Sequence, residues 1–111
     1  MTWHQVALLE ELEIDKPISV EVDGEPVLVV KTMNGLFAVS DICSHAEVSL
    51  TEGTVTDGKI ECWLHGAQFD LSSGAALCLP ATKAIDAYSV RVSEESQKKT
   101  VEVSLERQES K

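Results

Sequence analysis

Three dipeptides, Asp23-Gly24, Asn34-Gly35 and Asp57-Gly58, punctuate this chain of 111 residues, and each stands between short apolar stretches. Such pairs are the strongest local signal for a hairpin, because the tight turn needs positive φ and glycine accepts it at little cost. The first joins "ISVEV" to "VLVVKT", the second joins "VLVVKT" to "LFAVS", and the third joins "TVT" to "KIEC". Two more pairs repeat the pattern: "AQFDL" and "AALCL" about Ser72-Ser73-Gly74, and "AYSVRV" and "TVEVSLE" about a polar run in which "EESQKK" reads as the loop. Apolar residues recur mostly at period two. About eight to ten short strands with turn signals every 8 to 12 residues predict an all-β antiparallel sandwich or incomplete barrel. The exception is Leu8 to Asp15, acidic and suited to a short helical turn before Lys16-Pro17 ends it. The final "ERQESK" reads as a frayed tail.

A chain of this length forms one domain, residues 1–111, with room for a single core. Nine basic against 19 acidic residues give a formal net charge of −10, which opposes nucleic acid and anionic membranes and favours a basic protein partner. The opening "MTWHQVALLEELEID" has neither a basic leader nor a long apolar core, so a cytoplasmic location is expected. Three cysteines cannot all pair internally, and in a reducing compartment Cys plus His at short spacing points to metal rather than to disulfides.

The scarcest ligand types are concentrated in two mixed pairs, Cys43-Ser44-His45 and Cys62-Trp63-Leu64-His65. Each pair follows a strand-like segment. Sixteen residues, 46–61, separate them and contain the Asp57-Gly58 hairpin, which returns the chain to the same end of a sheet. Two loops, each carrying one thiolate and one imidazole, can therefore converge. Four-coordinate zinc is the plain structural alternative, although zinc sites usually pair like ligands in each arm.

Cys-x-His, a spacer of this length, then Cys-x-x-His followed by Gly66 resembles the Rieske iron-sulfur proteins. The stretch "HGAQFDLSSGAALCLPAT" extends the likeness to the small Rieske ferredoxins of ring-hydroxylating oxygenase systems. The resemblance implies a Rieske-like β fold with a cluster-binding subdomain at about residues 41–84. It implies one 2Fe-2S cluster, with Cys43 and Cys62 on one iron and His45 and His65 on the other. Two ferric ions, two sulfides and two thiolates sum to zero charge, whereas four thiolates leave two negative charges. Reduction is easier in the mixed set, in keeping with Rieske potentials of roughly −150 to +300 mV against about −400 mV for plant-type clusters.

Respiratory Rieske proteins add a disulfide between the cluster loops and two hydroxyl donors to sulfur. The matching positions here are Val48 and Leu64, and Ala67 and Phe69, so the resemblance implies a potential near the low end, roughly −150 mV. The midpoint is expected to turn pH-dependent only at alkaline pH, tending towards about 59 mV per unit. The implied role is one-electron transfer from an NADH-dependent flavoprotein reductase to a terminal oxygenase, by a monomer in transient encounters, with Trp63 and Leu64 at or near the exposed tip. No catalysis by the chain itself is expected: a mononuclear iron site wants two histidines and a carboxylate, and only His4 remains unassigned. The same fold also serves a small subunit of assimilatory nitrite reductase, and an accessory or redox-sensing role in iron-sulfur assembly is a further alternative.

The other residues have plainer readings. His4 is expected at the surface, Cys78 as a small buried hydrophobe, and Trp3, Phe37 and Tyr88 in the core or on a sheet face. Gly66 is expected to let the backbone pass close to the cluster and aim amides at sulfide. The Pro80 segment is expected as a third loop over the cluster. Asp41, Glu47 and Glu52 are expected either to attract a basic partner or to form an ordinary solvated face.

Overall fold

The computed structural model describes residues 3–43, 48–64, 66–77, 83–95 and 97–107. Among the described residues nine strands build two antiparallel sheets. β1 (His4–Leu8), β2 (Ile18–Val22), β3 (Glu25–Thr32), β4 (Gly35–Ser40), β8 (Ala87–Glu95) and β9 (Lys98–Arg107) form a six-stranded sheet in the order β1-β9-β8-β4-β3-β2. Its edge strands β1 and β2 come back into contact, so the sheet curls into a nearly closed barrel. β5 (Thr54–Thr56), β6 (Lys59–Glu61) and β7 (Gln68–Asp70) form a second, three-stranded sheet. Of the two expected architectures the incomplete barrel holds. No α-helix occurs among the described residues, and none of their helices is long and apolar enough to cross a membrane.

β3 shows why the two sheets stay together. Its "VLVV" run does not alternate, and the structure buries both faces: Val27 and Val29 point into the barrel with Val22, Ala38, Tyr88, Val101 and Val103. Leu28 and Val30 point the other way, joining Val39, Val55, Ile60 and Phe69 in a second core between the sheets. A strand covered on both sides needs no polar face, and these four residues are fully buried. At about 1.5 to 3 kcal/mol for each such side chain, this strand alone anchors both cores.

The hairpins follow the turn chemistry, with one shift. Asp23 and Gly24 have φ of 50° and 82°, and Asp57 and Gly58 have φ of 50° and 76°, so both turns have positive φ at the two central positions. The second hairpin turns one residue earlier than expected. Thr32 pairs with Gly35, so Met33 and Asn34 occupy the turn, because the Thr32 hydroxyl accepts from the Asn34 amide at 3.1 Å and donates to the Gly35 carbonyl at 3.1 Å.

Three other expectations are corrected. "EESQKK" is mostly strand rather than loop: β8 and β9 continue until Glu95 pairs with Lys98, and the register sets Glu94 across from Lys99, opposite charges on one ladder. "ERQESK" does not fray at its start, since β9 runs to Arg107; residues 108–111 lie outside the described residues. The helical turn is confined to Leu9–Glu11, beyond which Ile14 bridges to Lys31 of β3. Trp3 is half-buried beneath the Arg91 guanidinium, 4.2 Å from its ring centroid, while Phe37 packs on the inter-sheet core and Tyr88 is buried, as expected.

Candidate metal centre

β4 and β6 run towards Cys43 and Cys62, the two cysteines of the Cys-x-His and Cys-x-x-His pairs. After Ser40 the chain leaves the barrel, passing Asp41 and Ile42 to Cys43; it rejoins the barrel where the Ser40 amide donates to the Asp86 carbonyl at 2.8 Å. β6 ends at Glu61, directly before Cys62. The two loops that follow are closed in the same way. The Cys43 amide donates to the Val48 carbonyl at 3.1 Å, and the Cys62 amide donates to the Ala67 carbonyl at 2.7 Å, each spanning five residues. Cys43 and Cys62 are 2% and 0% exposed and belong to one packed cluster of buried side chains. Two sequence-distant cysteines thus reach one interior from two matched loops.

Histidines 45 and 65 lie outside the described residues, as do Glu47, Cys78 and Pro80. Among the described residues no three of His, Cys, Asp and Glu gather to hold a metal ion. Of the four residues of the two mixed pairs, the structure describes the two cysteines. His4 is well away in sequence on β1, partly buried, with Nε2 at 3.3 Å from an Asp23 Oδ2.

Gly66 is required by backbone conformation. Its φ is 75°, where an L side chain is strained, although a Cβ there would meet nothing within 4 Å. Its own N–H donates to the Cys62 carbonyl at 3.1 Å and closes the loop. Gly53 meets the opposite constraint. A Cβ there would collide with the Glu61 carbonyl oxygen, so only glycine lets the turn after Leu50–Glu52 pack against the strand that delivers Cys62.

Asp41 is the functional residue that sequence reasoning misplaced. Expected on a solvated or partner-binding face, it is 3% exposed. One oxygen accepts from the Thr51 amide at 2.9 Å and the Thr51 hydroxyl at 2.6 Å; the other accepts from Ser19 and Ser49 hydroxyls at 2.9 and 2.7 Å. Its own carbonyl accepts from the Leu50 amide at 2.7 Å. These bonds fasten the chain two residues before Cys43 to β2 and to the far side of the same loop. A buried carboxylate is tolerated only when satisfied in this way. The signal in the sequence was the group of hydroxyls at Ser19, Ser49 and Thr51, but their convergence is tertiary. Glu52 is exposed, as expected of a solvated face.

Trp63 and Leu64 stand between Cys62 and residue 65 and are 51% and 37% exposed, while Ala67 and Phe69 just beyond are fully buried. Large apolar side chains held outward beside a loop that begins at a buried cysteine suit a small docking patch. Val48 packs against the inter-sheet core. Two thiols from matched loops, a dry apolar surround and a histidine in each loop's sequence fit a 2Fe-2S centre with mixed ligands.

Comparisons with known proteins agree with this centre. The Rieske [2Fe-2S] domain model matches residues 2–89. The anthranilate 1,2-dioxygenase ferredoxin subunit of Burkholderia cepacia is 36% identical over 90 residues, 81% of this chain and 83% of that protein. Among solved structures, the ferredoxin of carbazole 1,9a-dioxygenase from Nocardioides aromaticivorans IC177 superposes with a TM-score of 0.82 at 36% identity, covering 91% of this chain and 97% of that one. A chain in a complex of reduced oxygenase and oxidized ferredoxin in carbazole 1,9a-dioxygenase gives 0.85 at 27% identity, covering 97% of each. A nitrite reductase small subunit from Mycobacterium tuberculosis gives 0.79 at 18% identity, covering 92% and 93%, a likeness of fold alone. The matched loops, the two buried cysteines and the match over residues 2–89 place this chain in the Rieske family, with one 2Fe-2S cluster as its cofactor.

Proposed function

We propose that this chain is a low-potential Rieske ferredoxin, carrying one electron at a time from an NADH-dependent flavoprotein reductase to a terminal oxygenase. The pair of buried cysteines in identically closed loops carries the reading. Cys43 and Cys62 are the thiolate ligands and His45 and His65 the imidazole ligands, in a cluster-binding subdomain of about residues 41–84 inserted in the barrel. With the cluster bound, the chemistry supplied is reversible one-electron transfer. The chain is an electron-transfer component and not an enzyme on its own. Partnership with an oxygenase follows from the ferredoxin names of its relatives; the reductase, a monomeric state and a cytoplasmic location complete the reading.

Ala67 and Phe69 support the low potential. Both are fully buried and neither has a hydroxyl, so neither side chain can donate a hydrogen bond to sulfur and stabilise the added charge of the reduced state. Exposed Trp63 and Leu64 support brief contact with each partner through a small interface.

The test begins with metal content. Equal iron and acid-labile sulfide in a brown protein are expected, and a colourless protein with one zinc would remove the cluster. A redox titration should place the midpoint at roughly −150 mV, and a strongly positive value would sink the low-potential assignment. Reconstitution with a candidate reductase and ring-hydroxylating oxygenase should then restore turnover. If the reduced protein fails to support it, the carrier role in such a system is wrong.

A further inference from the structure

A groove outside the cluster loops has the composition of a protein docking site. It consists of two adjoining cavities of about 510 and 280 Å3 that share Asn34, Asp57 and Gly58 as lining. The larger also takes in Phe37, Asp70 and Leu77, and the smaller takes in Asp15 and Met33. The groove therefore lies between the β3–β4 hairpin of the barrel and the β5–β6 hairpin of the small sheet. Met33, at the tip of its hairpin, is 89% exposed, and Leu77 at the other edge is 45% exposed. An unbranched thioether held in water at one edge of the groove and an exposed leucine at the other give a contact surface that adapts to its partner.

Charge selects the partner. Among the described residues, Asp15, Asp57 and Asp70 line the groove against one cation, Lys59. A second copy of this chain would set three aspartates against three, on molecules of net charge −10 each, so self-association through this face is opposed. Nucleic acid and anionic membranes are opposed on the same ground. The aspartates are also not a cation site, since among the described residues no three acidic, cysteine or histidine side chains gather to hold an ion.

We propose that this groove docks a basic segment of a protein partner, one that presents lysine or arginine beside an apolar side chain. The apolar residue covers Met33 and Leu77, while the cations face the three aspartates. Position separates the two hairpin turns of this groove from the cluster tip, while Leu77, whose amide donates to the Gln68 carbonyl opposite Glu61, marks the end of the groove nearer Cys62. The Asp57-Gly58 turn lies at the end of β6 away from Cys62, and Met33-Asn34 lies at the end of β4 away from Cys43. Three strand residues span about 10 Å and six about 20 Å. A partner held at the two hairpin turns leaves Trp63 and Leu64 open, so the groove adds grip without displacing an electron-transfer contact.

The test is binding by the cluster-loaded full chain to a synthetic peptide of alternating lysine and leucine, followed by titration calorimetry. It reads binding without electron transfer, so its failure is distinct from failure of the carrier role. Asp15→Asn/Asp57→Asn/Asp70→Asn removes the charge conservatively. Asp15 and Asp57 have φ of 60° and 50°, which asparagine tolerates. Asp70 accepts from the Ser72 amide and hydroxyl, and the side-chain carbonyl of the Asp70→Asn variant can still accept both bonds. Met33→Ser/Leu77→Ser removes the apolar contact at two exposed positions. Each set is expected to weaken binding by about tenfold or more, with an unchanged visible spectrum and midpoint potential. Leu64→Ser, and a control that removes the same charge at exposed Glu10, Glu21 and Glu25 by substitution with Gln, are expected to change it by less than about threefold. Undiminished binding by both groove variants would overturn the proposal. So would an equal loss in the charge control or in Leu64→Ser.

Discussion

Asp41→Ala tests whether the buried carboxylate fastens the first cluster loop. The substitution removes both oxygens and leaves four donors without their acceptor: the Thr51 amide and hydroxyl and the hydroxyls of Ser19 and Ser49. Ser19 is exposed and can turn to water, so its loss counts for little. Thr51 and Ser49 are half-buried, and a buried donor left unsatisfied costs about 1 to 3 kcal/mol. Partial access of water to these three donors brings the expected total to about 3 to 5 kcal/mol. That is a large share of the roughly 5 to 15 kcal/mol that stabilises a domain of ordinary size. The assay is urea unfolding of the cluster-loaded protein, with Ser19→Ala as reference at below about 1 kcal/mol. Thermal unfolding should fall by about 10 to 20 °C. Because Asp41 lies two residues before Cys43, iron and sulfide should also leave at lower denaturant than the barrel unfolds. Asp41→Asn, which keeps one acceptor for Thr51, should lose less than half as much. A loss in Asp41→Ala within about 1 kcal/mol of wild type would refute the fastening role.

Other substitutions separate steric, conformational and docking effects. Gly53→Ala forces a Cβ into the Glu61 carbonyl oxygen and should cost about 2 kcal/mol or more, read by the same unfolding curve together with lowered iron content. Gly66→Ala meets no atom within 4 Å but must hold φ at 75°, so it should cost about 1 to 2 kcal/mol and keep its iron. Leu64→Glu, at a position 37% exposed, should leave stability within about 0.5 kcal/mol while slowing electron delivery in a reconstituted assay. Unchanged turnover there would count against a tip contact. Cys62→Ser should yield protein with depleted iron and sulfide, measured by metal analysis, because the proposed ligand is fully buried and among the described residues no three of His, Cys, Asp and Glu gather as an alternative site.

The all-β class, the hairpins at Asp23-Gly24 and Asp57-Gly58 and the placing of Cys43 and Cys62 at strand ends were legible from local chemistry. Turn dipeptides and ligand spacing depend on neighbours a few residues apart, and such information is written along the chain. The Met33-Asn34 turn was missed by one residue because the Thr32 hydroxyl, a side chain just before the turn, outweighed the Asn34-Gly35 preference. Strand content in "EESQKK" was hidden because its polar residues match a loop in composition, and only the opposite strand's register reveals the charge pairing.

What only the tertiary structure decided involves groups far apart in the chain. Asp41 has the same side chain whether it faces water or an interior, and its burial depends on Ser19, 22 residues earlier, and Thr51, 10 residues later. Val27 to Val30 could be read as one strand from their apolar run, but not that two separate cores would claim alternate members. The groove between the hairpins belongs to neither sheet's sequence, since it arises where two turns meet. Short-range sterics and ligand chemistry therefore specified the parts and the kind of centre, while packing between distant segments determined which polar groups are buried and which apolar ones remain in water.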